Sequence, residues 1–286
     1  MAAIRSLQRA IGVLADNPVL FVGGLVYAAV VAPQRVLSLL GVPFVPGLLQ
    51  IMTFFITPFV VAGIIGMAAE GLRGSATLDT FTDVGKDRYL PLLLGNLVEF
   101  GITVAIGVFA FVVLLVVGLV VGIGAMGAAS GGSGAFGAIG AVGLLVGGLG
   151  VLFVVLVAAV VFFFIQFYPI AIVADGTDAV EGFRGSVRVV RANLVSTLGF
   201  SAINLVVGLL TSLPLVALFL LRGMNAPTTG PGAAPGPGMG GAFGGGVASF
   251  LSTPETVALA ATSLLFTVVL LPFRQTYATA FYRAVS

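Results

Sequence analysis

Long apolar runs decide what this chain can become. Six of them can be read, at 18–40, 45–69, 89–125, 139–174, 197–221 and 256–275. A helix that crosses a bilayer needs ~20 consecutive apolar residues, and the third and fourth runs exceed that, so they tilt, kink or extend past the hydrocarbon. Only 8% of the residues are charged, against about 25% in an ordinary soluble domain. So few charges cannot cover the surface of a water-soluble fold. The expected fold class is all-α: a polytopic membrane protein with six transmembrane helices, forming a single membrane domain over 1–286. Pro33, Pro58, Pro169, Pro214 and Pro272 fall inside or at the ends of these runs and read as kinks and span ends.

Charge placement orients the spans. With the N-terminus cytoplasmic, six crossings leave Arg5, Arg9, Arg73, Lys86, Arg88, Arg184, Arg188, Arg191, Arg274 and Arg283 inside, ten of the twelve basic residues. Only Arg35 and Arg222 fall outside. This asymmetry follows the positive-inside rule, and five or seven spans would scramble it. The expectation is a multi-pass protein of the cell membrane with both termini cytoplasmic. The first run continues directly past Pro33, a poor cleavage site, and reads as an uncleaved span rather than a signal peptide.

Three connections are amphipathic. Segment 3–15 sets Ile4, Leu7, Ile11 and Leu14 on one helical stripe, with Arg5 and Arg9 off it, and Asn17-Pro18 ends it. Segment 177–193 places Phe183, Val187, Val190 and Leu194 on one stripe and Arg184, Arg188 and Arg191 on a neighbouring face, with Asp178 and Glu181 in the first turn, where the helix dipole favours acid. Segment 77–88 is a weaker case, with Leu78, Phe81 and Val84 in register. All three read as interfacial helices, the last two as cytoplasmic elbows between spans. Asn96-Leu97-Val98 after one elbow echoes Asn204-Leu205-Val206 after the other. The external connections 127–137 and 223–246 are rich in Gly, with Ala and Ser in the first and Pro in the second. They read as flexible linkers, not as a ligand-binding ectodomain.

The composition excludes much chemistry. The chain has no Cys and no His, so zinc thiolate sites, haem-binding His, Ser-His-Asp and Cys-His catalysis are ruled out. No cofactor motif and no metal-ligand spacing is legible. The Gly-rich loops lack the strand, helix and Lys of a phosphate loop. The formal charge of +2 is too small to argue for nucleic acid. Glu99 stands out, about ten residues into the third span; an intramembrane acid is expensive, and so is a candidate proton or cation relay. Asn96, Asn204, Gln50 and Gln166 are the other intramembrane polar candidates, read as glue between packed helices. Arg184, Arg188 and Arg191 are candidates for contact with anionic headgroups. Gly118-x-x-x-Gly122 and Gly143-x-x-x-Gly147 would let spans three and four approach closely. Phe162-Phe163-Phe164 with Phe167-Tyr168 reads as an interfacial aromatic belt. Carboxylates at the same interface, such as Asp83, Asp87, Asp175 and Glu181, form no recognisable metal or catalytic set.

The elbow and the termini carry a resemblance. Asn17-Pro18 follows an amphipathic N-terminal helix. Tyr168-Pro169-Ile170-Ala171-Ile172-Val173 precedes Asp178 to Ser186 and then Val189-Val190-Arg191-Ala192-Asn193, and the chain closes on Tyr277, Ala280, Tyr282 and Arg283. This resembles a broad prokaryotic and archaeal family of six-span integral membrane proteins of unknown function. That family is similar to the membrane domain attached to some glycerophosphodiester phosphodiesterases. Val187 stands where the family often carries an aromatic. The soluble phosphodiesterase domain, with its His and metal-binding acids, is not in this sequence, so the resemblance implies no catalytic residue and no cofactor.

These readings point to a non-enzymatic membrane component: a scaffold, accessory or lipid-organising protein. Its expected partners are the bilayer with its anionic headgroups, and a second copy or another membrane protein on the apolar span faces. The alternative is a small-solute or ion transporter or channel using Glu99.

Overall fold

A computed structural model of the chain describes residues 2–129, 135–225 and 253–286, with side chains at 2–122, 142–143, 145–210, 254–255 and 257–286. Among these residues every regular element is a helix. They are α1 (Ala2–Asp16), α2 (Leu20–Leu39), α3 (Val45–Gly71), α4 (Leu78–Asp87), α5 (Tyr89–Ala129), α6 (Ala135–Ile165), α7 (Tyr168–Ala174), α8 (Ala179–Ala192), α9 (Leu194–Asn225) and α10 (Thr253–Val285). Five stretches are long and apolar enough to cross a bilayer: Leu20–Leu39, Val45–Gly71, Tyr89–Gly122, Leu145–Ala174 and Val257–Val285. The pair Ala179–Ala192 and Leu194–Leu210, bent by 106° where they meet, would make a sixth if counted as one broken span. The chain is an all-α polytopic membrane protein.

Local chemistry sets the helix ends. The Thr77 hydroxyl accepts from the Thr80 amide at 3.3 Å and caps α4. A carboxylate oxygen of Asp178 accepts from the Glu181 amide at 2.8 Å and caps α8. Both satisfy an amide that a helix start leaves orphaned. Asn17 is buried. Its amide donates to the Val13 carbonyl at 3.0 Å and its oxygen accepts from the Ala76 amide at 2.7 Å, tying the end of α1 to the loop after α3.

Two expectations are corrected here, on helix length. The fourth run is kinked, as Pro169 suggests: it breaks at Gln166-Phe167, between α6 and α7, because Pro169 has no amide hydrogen to continue the ladder. The sixth run does not stop near Gln275; as a helix, α10 continues to Val285. The linkers are shorter than expected, since 127–129, 135–137 and 223–225 are helical. In lipid a helix is how a backbone satisfies its own polar groups, and Ala favours it. The rest of both linkers, 130–134 and 226–246, lies outside the described residues.

Glycines set how closely the helices pack. A Cβ on Gly24 of α2 would stand 2.2 Å from the Val268 carbonyl oxygen of α10. Gly63 and Gly66 of α3 receive Phe81 and Val84 of α4, and Gly85 of α4 receives Phe59 of α3. Gly143 and Gly147 of α6 face Val120 and Val117 of α5, as expected, but a Cβ on Gly118 or Gly122 would meet open space. Those two glycines point away from α6.

The principal core lies at one end of the bundle. Phe167, Phe200, Tyr277, Phe281 and Tyr282 are all buried. Their rings stack or tilt on one another, with the Phe200 centroid 4.7 Å from Tyr277, 4.8 Å from Phe281 and 5.0 Å from Phe167. Ala3 and Ala10 of α1 and Val189 and Val190 of α8 cover this cluster. The α5–α6 hairpin is its opposite: Phe111, Leu115, Leu119, Leu145, Leu149 and Phe153 are each more than half exposed.

Candidate functional site

The polar contacts concentrate where the spans meet α1, α4 and α8. The break between α6 and α7 leaves backbone groups without helical partners. Ser186, wholly buried on α8, fills the gap. Its hydroxyl accepts from the Phe167 amide at 3.1 Å and donates to the Phe164 carbonyl at 2.7 Å. Next to this splice, Tyr168 begins α7 and stacks on Phe183 of α8, with ring centroids 4.4 Å apart. A Cβ on Gly95 of α5 would stand 2.7 Å from the Tyr168 ring, so only a glycine lets α5 pass there.

That close approach brings Glu99 and Asn96 to Tyr168. The tyrosine hydroxyl lies 2.6 Å from a carboxylate oxygen of Glu99 and 2.7 Å from the amide oxygen of Asn96. One hydroxyl carries one hydrogen. Two links are made together only if the Asn96 amide presents its NH2 to the hydroxyl, or if Glu99 carries a proton of its own. Either way the group is a local three-residue knot joining α5 to α7.

The remaining polar candidates are separate from it. Gln50 on α3 accepts a hydrogen bond from Gln34 on α2. Gln166, at the helix break, donates to the Phe163 carbonyl at 2.8 Å and accepts from Ser201 of α9 at 3.1 Å. Asn204 lines a cavity of about 620 Å³ with Gln166, Ser201 and Arg274. Its buried amide oxygen has no hydrogen-bond partner.

The basic residues divide in two. Arg184, Arg188 and Arg191 of α8 are exposed. The first two line a cavity of about 420 Å³ with Asp175, Glu181 and Tyr282, in which the Tyr282 hydroxyl donates to Asp175 at 2.5 Å. The Arg191 guanidinium lies 6.0 Å from the Phe164 ring centroid, at the outer limit of a cation–π contact. Other arginines are structural. Arg9 donates to the Leu72 carbonyl at 3.1 Å and Arg283 to the Ala69 carbonyl at 3.0 Å. Both sit where the dipole of α3 is negative. Arg88 donates to the carbonyl of Gly176 at 2.9 Å, joining the two elbows; Gly176 holds φ +71°, a conformation that favours glycine. Among the described residues no group of three or more acids could hold a metal ion. Asp83 and Asp87 are exposed on α4.

Sequence reasoning missed three participants. Ser186 and Tyr168 were visible only inside a motif and an aromatic belt, since their partners come from other helices. Arg274 was counted only as one of the basic residues on the inner side, and its place beside Ser201, Asn204 and Gln166 came from helices distant in sequence. Comparison with known proteins adds one finding. A model of a domain of unknown function, DUF7847, matches residues 1–285. No curated protein and no solved structure matches the chain.

Proposed function

Since the chain belongs to the DUF7847 family, a membership that supplies no activity, we propose a function from the site itself: a non-enzymatic membrane component that organises anionic lipid at the face formed by α1, α4 and α8. In this reading that face is cytoplasmic, as are both termini. The observation that carries it is the seating of α8. Its small residues Ala179, Gly182 and Ser186 are buried against the bundle, and Ser186 is spliced into the α6–α7 break. The three arginines are left exposed at a fixed height. A rigidly held basic row at an interface attracts anionic headgroups by about 1 kcal/mol per residue. The likeness to the membrane domain attached to some glycerophosphodiester phosphodiesterases fits this proposal, as a membrane part without chemistry of its own.

The alternative, a transporter or channel built on Glu99, finds less support. Both polar side chains of that stretch, Asn96 and Glu99, are engaged by Tyr168, and Glu99 lines neither the cleft beside Asn204 nor those beside Arg35, Asp175 and Arg191. The test is reconstitution in liposomes of mixed phosphatidylglycerol and phosphatidylcholine, with spin-labelled lipids reporting what borders the protein. We expect preference for the anionic lipid, weakened by salt and by R184Q/R188Q/R191Q together. No proton or solute flux is expected. Flux that Glu99→Gln abolishes would overturn the proposal in favour of transport.

A further inference from the structure

Arg274 is an unusual charge. It is exposed and lies in α10 eight residues before Tyr282, about 12 Å away along the helix, within the stretch Val257–Val285 that is long and apolar enough to cross a bilayer. Among the described residues it has neither a hydrogen bond nor an ion pair. The comparison with Arg35 is direct: that guanidinium donates to the Ser263 carbonyl at 3.2 Å and to the Thr267 hydroxyl at 2.9 Å. Arg274 forms the wall between two clefts. One, of about 410 Å³, also holds Arg35. The other, of about 620 Å³, lies between α7, α9 and α10. Among the described residues no acid lines either cleft. A guanidinium inside a bilayer is costly without a counter-charge, and the described lining of these clefts offers none.

The larger cleft has a mixed lining. Ser201, Asn204 and Gln275 line it together with Arg274, and so do the apolar Leu205, Leu209 and Leu271. Along α9, Gly208 lies one turn deeper than Asn204, and a Cβ there would meet open space. The Asn204 amide oxygen, buried and unpaired, has no surface open to a ligand and plays no part in binding. A phosphate to neutralise a cation and an acyl chain to fill a groove describe one kind of molecule. We propose that this cleft is a lateral binding site for an anionic phospholipid. The phosphodiester sits on Arg274, and an acyl chain runs past Gly208 and Leu209. The site goes beyond the basic row on α8 and uses none of its residues, so either proposal can fail alone.

The test uses the full chain in nanodiscs of equal phosphatidylglycerol and phosphatidylcholine, with retained lipid read by native mass spectrometry. We expect about one phosphatidylglycerol held per chain, enriched about tenfold over phosphatidylcholine, the scale of a hydrogen-bonded charge. Arg274→Gln should bring that enrichment to near unity. Gly208→Leu, which fills the open groove and leaves Arg274 in place, should also expel the lipid, and it guards against a charge variant that misfolds. R184Q/R188Q/R191Q should leave the retained molecule in place. Enrichment unchanged in Arg274→Gln would show a guanidinium that only snorkels to headgroup water, and would overturn the site. Displacement by millimolar glycerol phosphate would overturn the lipid assignment in favour of a soluble phosphate ester. Loss in the α8 variant alone would place the lipid at the basic row instead.

Discussion

The Ser186 hydroxyl meets two backbone atoms on either side of a helix break, the Phe164 carbonyl at the end of α6 and the amide of Phe167, the residue that precedes α7. Ser186→Ala leaves the Phe167 amide and the Phe164 carbonyl buried and unpaired, at a cost of about 1–3 kcal/mol for such groups. The expected result is a lower melting temperature in detergent; an unchanged one would mean that the break does not depend on α8. The Glu99 knot shows what a sequence can and cannot give at this scale. Asn96 and Glu99, three residues apart on one helix, read directly as polar residues on a shared face. Their common partner, Tyr168, lies some seventy positions away, and an aromatic among aromatics carries no mark that its hydroxyl is engaged. The pairing depends on Gly95 admitting the ring, which only the packed helices reveal.

At the scale of elements, helix existence was legible and helix facing was not. All three amphipathic segments form helices near their expected places. Yet of the expected stripe on α1 only Leu14 is buried; Ile4 is 50% and Ile11 54% exposed, while Ala3, Ser6 and Ala10 face the bundle. On α8 Val190 of the expected stripe is buried, but so are Ala179, Gly182, Ser186 and Val189, while Leu194, just past its end, is exposed. The rule that apolar faces turn inward assumes water outside. An interfacial helix has lipid on one side, so its large apolar residues have a second place to go, and small residues take the protein side because they permit contact. A Cβ on Gly182 would stand 2.5 Å from Ile172. The same argument predicts the effect of enlarging a glycine between spans. Gly24→Val would drive a branched side chain into the Val268 carbonyl of α10. We expect destabilisation beyond the about 1–3 kcal/mol of ordinary overpacking, read as loss of the folded fraction after thermal challenge. Gly118→Val, facing open space, should leave it unchanged.

Over the whole molecule, arginines that read as topology signals also hold the structure together. Arg9, Arg283 and Arg88 bind carbonyls at helix ends and in a loop, so the basic side of the bundle is also where its helices are tied together. Its orientation can be measured directly, because the chain has no Cys and a single engineered thiol is unambiguous. A cysteine placed at Asp79 or Glu181 should react with an impermeant maleimide only after cells are permeabilised, whereas labelling in intact cells would invert the map. The end of the last helix was hard to read: residues 276–285 mix Thr and Tyr with apolar positions, and the sequence shows no boundary where α10 in fact continues. The α5–α6 hairpin carries a mechanical consequence. With 41 residues, α5 is about 60 Å long, roughly twice the ~30 Å hydrocarbon thickness of a typical bilayer. A greasy rod of that length leans, projects or stretches the leaflets around it. Whatever length neither tilt nor projection takes up, the surrounding leaflets must match by thickening, where longer acyl chains fit better than short ones.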